Sequence, residues 1–109
     1  MRRFTIEILP EAEAEFREAF LWYFDRSPVF AEALRTEVLT KIEALRDDAD
    51  SWPKDEDGIR YRILSKRFKY TIFYDLVDTL VTVLAIAPQL RQPGYWKDRE
   101  PRTAGSSDA

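Results

Sequence analysis

Ile59-Arg60-Tyr61-Arg62-Ile63-Leu64, Tyr70-Thr71-Ile72-Phe73-Tyr74 and the run from Leu80 to Ala87 stand close together in the C-terminal half of the chain, and their reading decides the fold. Each is short and rich in β-branched and aromatic residues, the composition of a strand. Asp78-Thr79 separates the last two by a tight turn and predicts a hairpin. Leu80, Val81, Val83, Leu84, Ile86 and Ala87 form a nearly unbroken apolar run, which marks a central strand buried on both faces. The turn before the second strand carries Lys66, Arg67 and Lys69, so positive charge sits on and beside a hairpin. A polar stretch with two aromatics, Gln89 to Trp96, closes the region.

Working outward, Phe4-Thr5-Ile6-Glu7-Ile8 alternates apolar and polar residues and predicts a half-buried strand. Pro10 ends it and suits the first position of a helix. Glu11, Glu13 and Glu15 follow, where carboxylates favour the positive end of the helix dipole. Ala12, Phe16, Ala19, Phe20 and Tyr23 recur at spacings of three and four and define one apolar face. Ser27-Pro28 restarts the helix as N-cap and first residue. Leu34, Val38, Ile42 and Leu45 continue a second apolar face, with Phe30 or Ala31 ahead of them. So short a connection requires an antiparallel helical hairpin. Ser51 to Gly58 reads as an irregular link. The expected fold class is α+β in two layers: an N-terminal strand, the helical hairpin, then a three-stranded antiparallel sheet. One domain is expected over residues 1–96, with residues 97–109, which contain no hydrophobe larger than Ala, as a disordered polar tail.

Composition narrows the chemistry. With 109 residues there is room for one core. The chain has no Cys, which excludes disulfides and thiolate catalysis and makes the cytoplasm the expected compartment. It has no His, so the commonest general base and metal ligand are missing together. No cofactor or metal is implied, and no apolar run approaches the ~20 residues of a membrane span. The net charge of −3 is segregated: residues 1–57 carry eight cationic against fifteen acidic residues, and residues 58–109 carry nine against five. A negative total argues against nonspecific nucleic-acid coating. The segregation suits a protein that docks different partners on its two halves.

Four segments carry a family resemblance: Ile8-Leu9-Pro10-Glu11-Ala12-Glu13-Ala14-Glu15; Trp22-Tyr23; Ser51-Trp52-Pro53; and Arg62 through Tyr74, continuing to Leu84-Ala85-Ile86-Ala87 and Arg91-Gln92-Pro93-Gly94-Tyr95-Trp96. In this order and with these elements the chain resembles the RelE/ParE superfamily of type II toxins. The resemblance implies a small growth-inhibiting protein, of the kind associated with plasmid stabilisation, neutralised by a cognate ParD-like or similar antitoxin. RelE-like members cut messenger RNA on the ribosome; ParE-like members lack those catalytic groups and are associated with inhibition of DNA gyrase. Where RelE-like nucleases tend to carry an arginine three residues before a tyrosine, this chain has Thr71 before Tyr74. Where relatives often have His after the last strand, it has Pro88. RNA cleavage needs a base, an acid and a cation for the phosphorane charge. The ParE-like reading is therefore preferred.

Target binding is expected at Arg60, Arg62, Lys66, Arg67, Lys69, Arg91, Tyr95 and Trp96. Charge blocking an edge strand would account equally well for Arg60 and Arg62, and core packing for Trp96. Were the chain a nuclease, Arg62, Lys69, Arg91 and Tyr95 would form its site, with the ribosome and its message as partner. A third reading is an inactive member that retains only antitoxin binding. Leu21, Trp22 and Phe24 are surplus to the apolar face of the first helix and are expected to meet the antitoxin, unless that helix packs more deeply on the sheet.

Overall fold

The computed structural model describes residues 3–89 and 94–99. Its elements are strand β1 (Thr5–Ile8), helix α1 (Pro10–Arg26), helix α2 (Pro28–Asp48), a 3-10 turn (Ala49–Ser51), and strands β2 (Arg60–Ile63), β3 (Tyr70–Val77) and β4 (Leu80–Pro88). The four strands form one sheet in the order β1-β4-β3-β2. The expected antiparallel trio is present, and β1 adds to it by pairing parallel to β4, Thr5 opposite Leu80 and Ile8 opposite Val83. Helices lie on one face, so the class is α+β with a mixed sheet.

Local signals fix the helices. Pro10 and Pro28 each stand at a helix start, where a missing N–H costs nothing. The Ser27 hydroxyl accepts a hydrogen bond from the Phe30 N–H at 3.2 Å, as an N-cap should. Ala31, Leu34, Val38, Ile42 and Leu45 form the buried face of α2, and the last four share one core with Ile72, Tyr74, Val81, Val83 and Ile86 from the sheet. Lys69 and Asp78 take positive φ, 55° and 54°, at the two turns that flank β3. No helix among the described residues is long and apolar enough to cross a membrane.

One irregularity organises the rest. The β3–β4 register shifts between Phe73, opposite Ala85, and Tyr74, opposite Val83, so Leu84 is an extra residue. This bulge flips the alternation of β4. Val81, Val83 and Ile86 face the helices, while Leu84, Ala85 and Ala87 join a second core with Leu9 and Trp96. Val81 through Ala87 are all buried as a result. The Trp96 ring packs against Phe73 at 4.3 Å between centroids and brings the C-terminal segment onto the face opposite the helices.

Contacts with the folded body continue past residue 96 through residue 99. Lys97 and Arg99 donate backbone hydrogen bonds to Gly94 and Trp96, and the Arg99 side chain is only 18% exposed. A buried carboxylate partner, Glu15, holds it there. Residues 100–109 of the expected tail lie outside the described residues.

Candidate functional site: an apolar cleft beside a basic turn

On the face away from the helices, β3, β4 and the C-terminal segment enclose a cleft of about 450 Å³. Thr71, Phe73, Ala87, Pro88, Tyr95 and Trp96 line it, with Asp55, Glu56 and Lys97 among the charged residues around it. Thr71 and Ala87 are cross-strand partners, as are Tyr70 and Pro88. The two positions at which the sequence departs from the nuclease pattern, Thr71 and Pro88, thus meet in one cleft.

Tyr74 lies on the other face. It is fully buried, and its hydroxyl donates to the Ala49 carbonyl at 2.6 Å. Burial pushes that hydroxyl up to about 12. This tyrosine ties the sheet to the end of α2 and does not reach the cleft.

Two of the polar groups that line the cleft, on Lys97 and Tyr95, are already engaged. The Lys97 ammonium is paired with Asp57, and that hydrogen bond raises its pKa above the usual lysine value. The Tyr95 hydroxyl donates to Glu15. Among the described residues, no group of three or more carboxylates is placed to hold a metal ion.

The predicted cationic residues divide into two sets. Arg60 donates to the Asp50 and Trp52 carbonyls at 3.2 and 2.6 Å. Arg62 donates to the Lys41 carbonyl at 3.2 Å and stacks 4.2 Å above the Trp52 ring. Their register opposite Tyr74 and Ile72 turns both toward the helices, where they staple β2 to the end of α2 and the link. Lys66, Arg67 and Lys69 are exposed on the turn between β2 and β3. Arg67 lies 4.7 Å over the Phe68 ring. Glu37 of α2 anchors the turn by accepting from the Ser65 N–H and, at 2.8 Å, the Ser65 hydroxyl. Burial by itself would raise the Glu37 carboxyl, but the two Ser65 bonds, with Lys41 and Arg67 nearby, together hold it below its usual range. The Gln89 N–H donates to the Lys69 carbonyl at 2.9 Å, so basic turn and cleft are contiguous. Arg91 lies outside the described residues. Trp96 is 3% exposed and serves as packing.

Leu21, Trp22 and Phe24 are exposed by 57%, 53% and 45%, which disposes of the alternative that they pack on the sheet. Arg26 stacks 3.5 Å over the Trp22 ring, and Phe20 and Phe24 are 5.6 Å apart. Together they make an aromatic strip at the end of α1, away from the cleft.

From the sequence, Glu15 is expected only as a carboxylate at the positive end of the helix dipole. In the structure it is the hub that joins α1, β4 and the C-terminal segment, accepting from the Ile86 N–H at 3.0 Å, from Tyr95 and from Arg99. A signal was present: Glu15 stands three residues after Ala12 and four before Ala19, the two fully buried positions of α1, so it shares their face.

Comparison with known proteins gives the following. A family model described as "ParE toxin of type II toxin-antitoxin system, parDE" matches residues 6–93. Among solved structures, a chain from "Chromosomal ParDE TA system from P. aeruginosa" superposes with a TM-score of 0.68 at 16% sequence identity, covering 79% of this chain and 96% of that one. Among curated proteins, none matches the sequence.

Proposed function

The chain belongs to the ParE toxin family of type II toxin–antitoxin systems, and from that premise we propose that it arrests bacterial growth by binding a protein target, DNA gyrase, rather than by cutting RNA. A cognate antitoxin holds it inactive by covering Leu21, Trp22 and Phe24. The basic turn, Lys66, Arg67 and Lys69, meets the target together with the adjoining cleft.

One observation carries the noncatalytic reading. The cleft where a nuclease would gather base, acid and cation is lined by Thr71, Phe73, Ala87 and Pro88. Its lysine is neutralised by Asp57, and its tyrosine hydroxyl is engaged as a donor to Glu15. Among the described residues that line the cleft, charge developing on a phosphorane would meet apolar carbon and nearby carboxylates, the reverse of what such a transition state requires.

The test is induced expression in a bacterial host with DNA and protein synthesis pulse-labelled in one culture, joined to a supercoiling assay with purified gyrase. DNA synthesis falling first, with supercoiling inhibited in vitro, is the expected result. Protein synthesis stopping first, with cleaved messages, would overturn the reading in favour of a nuclease.

A further inference from the structure

A second cleft, of about 310 Å³, lies on the helix side between the later turns of α1 and the paired ends of β3 and β4. Glu15, Glu18, Trp22, Tyr23, Tyr70 and Ile86 are among the residues that line it. Three aromatic rings and two carboxylates in so small a space is an unusual lining. The Glu15 charge is spent on Arg99, which leaves Glu18 as the free carboxylate. Among the described residues, neither Glu18 nor the Tyr23 and Tyr70 hydroxyls has a hydrogen-bond partner. Burial, and after it the neighbouring Tyr23, raises the Tyr70 hydroxyl above its usual range, so the two phenols are close and partly desolvated.

The complementary ligand follows from these groups. A free carboxylate and two phenol oxygens ask for several donors on one cation. Aromatic faces favour a planar cation over a compact, strongly hydrated one. A guanidinium supplies five N–H donors in a plane. The same Trp22 ring already carries one guanidinium, that of Arg26 at 3.5 Å. An anion would be repelled by Glu18, and a purely apolar group would leave the oxygens unpaired.

We propose that this cleft receives an arginine side chain of the antitoxin segment that covers Leu21, Trp22 and Phe24. The inference rests on the antitoxin reading above for the source of that arginine. Trp22 belongs both to the exposed strip and to the cleft lining, so a segment lying on the strip reaches the cleft without a break.

The probe is N-acetyl-arginine-N-methylamide, titrated into the full ¹⁵N-labelled chain while the Trp22 indole N–H signal is followed. N-acetyl-norleucine-N-methylamide serves as the uncharged control. A saturable shift with the arginine compound alone is expected, weakened roughly tenfold by Glu18→Gln, an exposed position whose change leaves the fold intact. In cells, the antitoxin from the adjacent gene should neutralise the wild-type chain and fail against Glu18→Arg, which remains toxic. Equal shifts from both compounds, or none from either, would overturn the guanidinium site. Neutralisation of Glu18→Arg as efficient as that of the wild type would overturn the antitoxin as its source. Should expression never arrest growth, the toxin reading fails, and the titration still decides what the cleft binds.

Discussion

Arg99 grips Glu15 with both arms of its guanidinium, Nη1 to Oε1 at 3.1 Å and Nη2 to Oε2 at 3.0 Å. Nη1 also donates to the Leu84 carbonyl at 2.9 Å, while Glu15 accepts from the Ile86 N–H. β1 ends at Ile8, opposite Val83, so these backbone groups of β4 have no strand beside them. Two side chains stand in for one.

Removing one partner of this pair strands a mostly buried charge. Arg99→Ala is expected to cost about 3 kcal/mol, measured by urea denaturation. Glu15→Gln with Arg99→Gln should cost less than the two single changes added together, which a double-mutant cycle would read directly.

Tyr74→Phe leaves the Ala49 carbonyl buried without its donor, at an expected cost of about 1–3 kcal/mol. The same residue sets an alkaline limit. The folded chain keeps the phenol protonated up to about 12, whereas the unfolded chain releases that proton from the ordinary value of 10.0. Its contribution is fully present below pH 10 and is lost as pH rises toward 12, by about 2–3 kcal/mol. In Tyr74→Phe this segment of the stability–pH curve should flatten.

Glu37 acts at the acid end. Its carboxyl is held below the ordinary glutamate value in the folded chain, so the stability it contributes is present above that ordinary value and lost as pH falls through the depressed one. Ser65→Ala should shrink this acid-side loss without abolishing it, because the Ser65 N–H remains as donor. Acid titration of both proteins by circular dichroism checks it.

Arg62→Ala is expected to lower stability by about 1–2 kcal/mol, since a stacked ring and a bonded carbonyl lose their partner. Lys66→Ala with Lys69→Ala should leave the denaturation midpoint within experimental error and weaken gyrase inhibition instead. Measuring both quantities on both proteins separates staple from contact surface.

Leu21→Glu removes an exposed apolar group only, so stability should change by less than about 0.5 kcal/mol, whereas Phe24→Glu also gives up the ring contact with Phe20 and should cost about 1 kcal/mol. Neutralisation by the antitoxin should fall while toxicity persists. Co-purification of tagged antitoxin with each variant gives the answer.

Much of this was legible in the sequence. Proline and serine placed the helix starts, the three-and-four spacing of Leu34, Val38, Ile42 and Leu45 named the buried face of α2, and the apolar run of β4 announced a strand covered on both sides. The bulge at Leu84 was not legible, because an extra residue in an unbroken apolar run leaves the pattern unchanged. The partners of Arg60 and Arg62 were not legible for a related reason. Period two says that they share a face but not which one, and a guanidinium can bond the carbonyls of a neighbouring helix and link as readily as meet solvent. Arg99 was hidden by a tail without hydrophobes, since its burial depends on a carboxylate 84 residues away.

The strand order carries a consequence for how the protein comes into being. β4 lies between β1 and β3, so one of the two interior strands of the sheet is the last strand to leave the ribosome. At roughly 5–20 residues per second the helical hairpin is exposed for seconds with no sheet beneath it. β1, made first, waits for a neighbour more than seventy positions downstream, the kind of distant pairing that slows folding. A nascent chain interrupted before Leu80 has two helices, the paired strands β2 and β3, and a β1 with nothing to join it to them. Whatever the finished molecule does to its cell, a prematurely terminated one cannot do.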